Sequence, residues 1–275
     1  MEKILVTTDL SVNSLAGIRF AIQLASRRDM ELVFFHANDL WDDTEYRDPD
    51  KLALLAKEKE TIQNRLKSLV EASYKTMQVH PGTHQVVCYF HMGVINSILH
   101  YATHNDCDYI CISTHGAGNV LALMGSITSE LISESDIPVL CVPQRYEPQP
   151  VETILYASDM ADHKAELARV VAFAAPMNAH VQVLNFIQPG MAASVGAKNN
   201  AHSNGGHISY IYEENEKKSL ADNLDEVILK YSPSMLVMFT NQDRNLLELL
   251  FDPSQTQKYS FRTKIPLLAI PKRIK

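Results

Sequence analysis

The chain has 275 residues, of which 46% are hydrophobic and 21% charged, a balance typical of a globular protein with room for two domains. A net charge of −7 excludes attraction to nucleic acid or to an anionic membrane by bulk charge. The first predicted strand begins almost at Met1, and no apolar run approaches the roughly 20 residues that span a bilayer, so we expect neither signal peptide nor membrane segment. All four cysteines lie in the first half, mostly in apolar runs, which indicates reduced thiols and a cytoplasmic location.

In chain order, the first 143 residues predict strands that alternate with helices. The predicted strands are 4–8, 31–37, 85–90, 109–113 and 138–143, and the predicted helices are 11–25, 51–76, 94–104 and 127–135. Ser11 is well placed to cap the first helix. The strands are apolar throughout instead of alternating, which is typical of a parallel sheet covered by helices on both faces.

The rest of the chain repeats this pattern. KILVTTDLS at 3–11 returns as TILYASDMA at 153–161, and IPVLCVPQR at 137–145 returns as IPLLAIPKR at 265–273. The predicted strands of the second copy are 153–158, 180–186, 207–212, 235–239 and 266–271. The second copy is shorter after its second strand, where 189–206 is rich in Gly, Ala, Ser and Asn and is predicted as a mobile loop.

Prolines flank the last strand of each copy. They are Pro138 and Pro143 in the first copy and Pro266 and Pro271 in the second. Because proline has no N–H to donate, such strands belong at a sheet edge. Two equivalent edges can pair antiparallel about a pseudo-twofold axis and cover each other, or each edge can simply be blunted by its prolines. We expect the pairing. The proline-containing linker 144–152 predicts domains at 1–146 and 151–275.

The segment THGAGNVLALMGSITSELI at 114–132 is a candidate anion site. Gly116 and Gly125 allow backbone N–H groups to approach a phosphate, and the following helix adds the partial positive charge of its N-terminus. Ser126 is placed to cap that helix and to offer a hydroxyl. Asp9, just past the first strand, would face the same crevice beyond the carboxyl ends of the strands. The alternative is that these glycines only end a strand and begin a helix, since the pattern is neither a P-loop nor a dinucleotide fingerprint.

Four features together resemble the universal stress protein family: Asp after the first strand, THG after the fourth, GSIT opening the last helix, and the strand IPVLCVP. Both halves resemble it, so the chain is similar to a tandem-domain member. The resemblance implies an α/β fold of two tandem, doubly wound, parallel five-stranded sheets in the order 3-2-1-4-5, paired through their last strands. In one branch of the family it implies binding of ATP or AMP through Gly-x2-Gly-x9-Gly-Ser/Thr.

The resemblance also implies a set of binding residues. On the adenosine side they are Thr7, Thr8 and Asp9, with backbone contacts to adenine from Ala37. On the phosphate and ribose side they are Gly116, Gly125, Ser126, Ile127 and Thr128. Two departures matter: the first motif glycine is Ser113, whose Cβ would crowd the ligand, and eight residues instead of nine separate Gly116 from Gly125. One deleted residue moves the donors by up to ~3 Å, so a nucleotide-free protein stays open as an alternative.

The other candidate sites have weaker sequence signals. The loop 240–261 of the second copy contains no glycine, so we expect that crevice to be structural, with Asp159 organising the start of the next helix. The spacing of His100, His104 and Cys107 fits either zinc or exposed helix histidines. The acidic stretch 42–50 fits either a solvated loop or Mg²⁺, which we expect only alongside a bound nucleotide.

Three functions remain from the sequence. The first is a cytoplasmic stress-response binding and sensor module, with ATP or AMP in the first domain. The second is a slow ATP-hydrolysing enzyme, although 113–128 contains no Lys or Arg to hold a γ-phosphate and no catalytic residue is assigned. The third is a nucleotide-free interaction scaffold. Besides the pairing of the two domains within the chain, a homodimer is left open.

Overall fold

The computed structural model describes residues 1–38, 49–90, 93–114, 126–190, 207–215, 220–240 and 265–272. In the first half, strands alternate with helices as predicted. The strands are β1 (Glu2–Thr7), β2 (Met30–Asn38), β3 (His84–Phe90), β4 (Tyr109–Thr114) and β5 (Val139–Pro143), and the helices are α1 (Leu15–Ala25), α2 (Pro49–Met77), α3 (Val94–His104) and α4 (Ser126–Glu134).

The second half repeats the strands of the first. Its elements are β6 (Thr153–Ala157), α5 (His163–Ala174), β7 (His180–Ile187), β8 (Ile208–Glu214), α6 (Leu220–Tyr231), β9 (Met235–Thr240) and β10 (Leu267–Pro271). The predicted mobile loop 189–206 lies outside the described residues except for Pro189 and Gly190, and the glycine-free loop 240–261 lies outside them except for Thr240.

The strand order confirms the predicted topology. The sheet runs β3-β2-β1-β4-β5-β10-β9-β6-β7-β8, so each half has the order 3-2-1-4-5 counted within itself. Strands are parallel within each half, and β5 and β10 pair antiparallel, with Leu267 opposite Cys141 and Ala269 opposite Val139. The alternative of two blunted edges is therefore wrong. The two five-stranded sheets are joined into one ten-stranded sheet.

The prolines before β5 and β10 still accept hydrogen bonds from the neighbouring parallel strands β4 and β9, because proline lacks only the N–H. The carbonyl of Pro138 accepts from the N–H of Ile110 at 3.0 Å, and that of Pro266 accepts from Leu236 at 2.9 Å. Since β5 and β10 are antiparallel, the carboxyl ends of the two sets of parallel strands lie at opposite ends of the joined sheet. A crevice at the carboxyl ends of the first five strands is therefore remote from the equivalent crevice of the second half.

Both faces of the sheet are covered, as the apolar strands predict. On one face, an apolar cluster packs the sheet against α1, α2 and α5, with side chains such as Phe20, Leu66 and Phe173. On the other face, a second cluster packs it against α3, α4 and α6, with Ile98, Leu131 and others. Each cluster includes residues of both halves. Among the described helices, none is long and apolar enough to cross a membrane.

The start of α1 differs from the prediction. The Ser11 side chain does act as a cap, but it accepts from Asn13 N–H at 3.2 Å and so caps a short 3-10 turn at Val12–Ser14. The Ser14 hydroxyl donates to the carbonyl of Ser11 at 2.9 Å and holds this turn. The α-helix therefore begins at Leu15 instead of directly after Ser11.

Candidate functional site

The first crevice lies at the carboxyl ends of β1, β2 and β4. All three strands are parallel, and β1 has β2 on one side and β4 on the other, so the strand order reverses direction at β1. This reversal is the topological switch point at which open α/β sheets bind ligands. The structure brings five of the predicted residues to this place. Thr7 ends β1, Thr8 and Asp9 directly follow it, Ala37 is half-buried near the end of β2, and Ser113 is near the end of β4.

The hydroxyls of Thr7 and Thr8 are engaged within the protein. Thr7 Oγ1 donates to the carbonyl of Cys111 on β4 at 3.2 Å. Thr8 Oγ1 lies 2.5 Å from Ser14 Oγ and accepts from the N–H of Leu10 at 3.0 Å. Because the Ser14 hydroxyl already donates elsewhere, Thr8 is the donor of this pair. Both threonines therefore shape the turn.

Asp9 is the exposed carboxylate of this turn. Its Oδ1 accepts from the backbone N–H of Ser11 at 3.0 Å and from the Ser11 hydroxyl at 2.7 Å. These bonds fix the carboxylate beside the left-handed residue Leu10, whose φ is 62°. The carboxylate is therefore held in place at the mouth of the crevice.

The side chain of Ser113 is directed at α1. Its hydroxyl accepts from the N–H of Gly17 at 2.7 Å and donates to the carbonyl of Ser14 at 3.0 Å. A Cβ on Gly17 would lie 2.9 Å from Ser113 Oγ, so the glycine permits this approach. The hydroxyl therefore ties the end of β4 to the start of α1.

The phosphate side of the predicted site is only partly described. Gly116 and Gly125 lie outside the described residues, and of Ser126 the structure describes only that it is the first residue of α4. Ile127 is 39% exposed, whereas Thr128 is buried. Thr128 therefore packs inside the protein, whereas the side chain of Ile127 is exposed to solvent.

Two side chains near the first crevice were missed by sequence reasoning. His36 donates from Nδ1 to the carbonyl of Thr8 at 2.8 Å, which leaves Nε2 as an acceptor at the end of β2. Arg65 of α2 donates to the carbonyl of Leu10 at 3.2 Å and places a cation one residue from Asp9. The position of His36 directly before Ala37 was a usable signal. Arg65 had none, because it is 55 residues from its partner.

Comparison with known proteins identifies the fold family. The sequence model of the universal stress protein family matches residues 1–143. The chain belongs to the universal stress protein family. The search of curated proteins found no match.

Solved structures agree with this assignment at the level of the fold. A universal stress protein from Archaeoglobus fulgidus is similar over 98% of both chains, with a TM-score of 0.69 and 13% identity. A protein from Pseudomonas aeruginosa is similar over 98% of this chain and 93% of its own, with a TM-score of 0.58 and 13% identity. The similarity extends through both halves of this universal stress protein.

The second crevice, at the carboxyl ends of β6, β7 and β9, has different chemistry. Lys272 follows β10 and lies 2.7 Å from Asp159 Oδ2 and 3.1 Å from Glu166 Oε1. Glu166 is buried on α5, and its other oxygen accepts from the hydroxyl of Tyr156. Phe239 stands at the position in β9 that corresponds to Ser113 in β4. The side chains of this crevice thus form an ion-pair cluster.

Asp159 behaves as the sequence predicts. Its Oδ1 accepts from the N–H of Ala161 at 2.9 Å, the same bond that Asp9 makes with Ser11. Burial raises the pKa of Asp159, but the hydrogen bonds from Lys272 and Ala161 and the charge of Lys272 together outweigh it, and the pKa is lowered overall. Asp159 is therefore an ionised group that organises the start of α5.

The zinc alternative at His100, His104 and Cys107 finds no support among the described residues. The rings of His100 and His104 stack at 3.9 Å, and His104 Nδ1 donates to the carbonyl of His100 at 2.8 Å. Burial raises the pKa of the Cys107 thiol to about 11, so it is protonated near neutral pH. No group of three or more His, Cys, Asp or Glu side chains in the described part of the chain is arranged to hold a metal. The acidic stretch 42–50 lies outside the residues whose side chains are described.

Proposed function

We propose that the first crevice binds an adenine nucleotide, ATP or AMP, and that the chain acts as a cytoplasmic stress-response sensor. The observation that carries the proposal is the position of Asp9. Its carboxylate is held by Ser11 at the switch point of the sheet and is exposed there. A carboxylate at this position of a doubly wound sheet suits the hydroxyls of a ribose.

The orientation of Ser113 supports nucleotide binding over the nucleotide-free scaffold. The sequence raises the objection that a side chain in place of the first motif glycine would crowd the ligand. The Ser113 hydroxyl is instead bonded to Gly17 and Ser14 of the α1 segment. This residue therefore leaves the crevice beyond the ends of β1 and β4 to a ligand.

The remaining parts of the proposed site have separate roles. The end of β2 at Ala37 offers backbone groups to the adenine, and His36 Nε2 adds an acceptor next to it. The N-terminus of α4 at Ser126 offers unpaired N–H groups to a phosphate. When a triphosphate is bound, Mg²⁺ would accompany it and neutralise part of its charge. We further propose domain boundaries at 1–146 and 151–275.

Nucleotide binding is tested by thermal unfolding of the full chain with ATP, ADP or AMP, together with an assay for nucleotide turnover. We expect Tm to rise, because a ligand at 100 times its Kd stabilises the folded state by about 2.7 kcal/mol. Asp9→Asn should weaken nucleotide binding at least ~10-fold, since it removes the charge but keeps an oxygen that accepts from Ser11.

The matched control is Asp159→Asn, the same change at the equivalent position of the second half, which should leave nucleotide affinity unchanged. Stabilisation without turnover supports the sensor. Turnover would show instead an ATP-hydrolysing enzyme, and the absence of both stabilisation and turnover would favour the nucleotide-free scaffold.

A further inference from the structure

The second crevice contains a cavity of about 300 Å³ that is lined entirely by described residues. This volume is at the lower end of the range for small-molecule sites. The cavity is formed between the ends of β6, β7 and β9 and the residue after β10, and its lining includes Ser158, Asp159, Asn185, Phe186, Met238 and Lys272. It is remote from the first crevice because the two sets of strands end on opposite sides of the sheet.

The charges around this cavity disfavour an anion. Asp159 and Glu166 contribute two carboxylates and Lys272 one ammonium, so the ionisable lining carries a net charge of −1. The Lys272 side chain is only 17% exposed, and its ammonium is already paired with both carboxylates. A phosphate or carboxylate ligand would have to compete with those two groups for a single cation.

Asp159 and Asn185 offer hydrogen-bond acceptors to the cavity. The Asp159 side chain is 50% exposed, and it uses one oxygen for Ala161 and one for Lys272, which leaves lone pairs facing solvent. Asn185 Nδ2 donates to the carbonyl of Ser158 at 3.0 Å. The Oδ1 atom of the same amide takes no part in this bond. Nothing among the described residues donates to that oxygen. The ligand that matches these groups is a hydrogen-bond donor.

The rest of the lining is apolar, and it includes a flexible, polarizable methionine side chain. Met238 and Phe239 are buried and Phe186 is half-buried at the end of β7. A thioether beside aromatic rings favours an aromatic or flat apolar body. In the first half, the positions of Met238 and Phe239 hold Ile112 and Ser113, so the aromatic ring of Phe239 and the thioether of Met238 are features of the second half.

We propose that the second crevice binds a small monocationic amine with an aromatic body. The ammonium lies against the exposed face of Asp159 and donates to Asn185 Oδ1, and the ring packs on Met238 and Phe186. The site discriminates against phosphates and carboxylates through its net negative charge. This proposal does not depend on nucleotide binding in the first half.

The test uses 2-phenylethylamine as the probe and the full chain labelled with ¹³C at its methionine methyl groups. We expect a saturable shift of the Met238 resonance, assigned with Met238→Leu. 3-Phenylpropionate, which has a similar body and the opposite charge, should cause no saturable shift. Asp159→Asn should weaken binding of the amine at least ~10-fold, whereas Asp9→Asn should leave it unchanged.

Since Asp159→Asn also alters the Lys272 ion pair, Asn185→Leu serves as a second variant that leaves that pair in place. It removes the amide acceptor at similar volume and should weaken amine binding about 5- to 10-fold. The proposal is overturned if the amine gives no saturable shift up to 10 mM (about 2.7 kcal/mol of affinity), if the carboxylate binds equally well, or if neither variant changes the affinity.

Discussion

Lys272→Met is expected to lower the free energy of unfolding by about 3 kcal/mol. The substitution removes the only ammonium within reach of Glu166 among the described residues, and Glu166 is 4% exposed. A buried carboxylate that loses its counter-ion retains the full cost of its desolvation, which is typically 3–5 kcal/mol. We place the effect at the lower end because Tyr156 continues to donate to Glu166. Urea unfolding at pH 7 measures the loss.

The matched control for this substitution is Lys230→Met. Lys230 also lies 2.7 Å from a carboxylate, that of Glu213, but its side chain is 58% exposed. Exposed pairs contribute about 0–1 kcal/mol, so this variant should be nearly as stable as the wild type. The double variant Lys272→Met/Glu166→Gln should recover part of the lost stability, because no buried charge remains. Equal effects of the two lysine substitutions would contradict the buried-cluster interpretation.

The effect of Lys272→Met should also depend on pH. Burial raises the pKa of Asp159, but the bond and charge of Lys272, together with the backbone hydrogen bond from Ala161, lower it below its ordinary value. The stability from this interaction is therefore present above the unfolded pKa of about 3.9 and is lost as the pH falls through the lower folded pKa. The stability difference between wild type and variant should be larger at pH 7 than at pH 2.5, as urea unfolding at both values would show.

Arg28→Ala is expected to destabilise the chain by about 2–4 kcal/mol through a contact that joins the two halves. The buried guanidinium donates to Glu2 at 3.0 Å and to the carbonyl of Phe173 at 2.9 Å, and it lies 4.6 Å from the centroid of the Phe173 ring. The substitution removes a charge-assisted pair, leaves a buried carbonyl without its donor and opens a gap. Thermal and urea unfolding measure the change.

The neighbouring residue supplies the control. Arg27 is exposed at the end of α1, so Arg27→Ala should change the free energy of unfolding by less than about 0.5 kcal/mol. Arg28→Lys should recover little, because an ammonium cannot reproduce the planar fork that reaches Glu2 and Phe173 together. An Arg28→Ala variant as stable as Arg27→Ala would show that this contact does not hold the halves together.

The sequence predicts the architecture well because the chain contains the same unit twice, so the strands predicted in one copy can be compared with those in the other. IPVLCVPQR and IPLLAIPKR are equivalent strands with the same edge problem, and pairing them solves it for both. Apolar strands alternating with helices lead directly to a doubly covered sheet. The boundaries of β1, α3 and α4 differ by at most two residues from the predicted ones.

The candidate site was less predictable because its contacts join residues that are far apart in the chain. Lys272 and Asp159 are separated by 113 positions, and Ser113 and Gly17 by 96. Periodicity and motif spacing carry no information on such pairs. The motif correctly draws attention to Thr7, Thr8 and Ser113 as a group near the crevice, but it does not show that all three hydroxyls bond to the protein.

The joining of the halves through β5 and β10 is tested most directly by a disulfide. Cys141 lies opposite Leu267 in an antiparallel pair, where Cα atoms are about 4.5–5.5 Å apart and both side chains share a face. This spacing suits a disulfide. Leu267→Cys, after mild oxidation and proteolysis, should give a cross-linked peptide containing Cys141 by mass spectrometry. Leu268→Cys, on the opposite face, should not. A folded Leu267→Cys variant that forms no such bond would contradict the paired sheet.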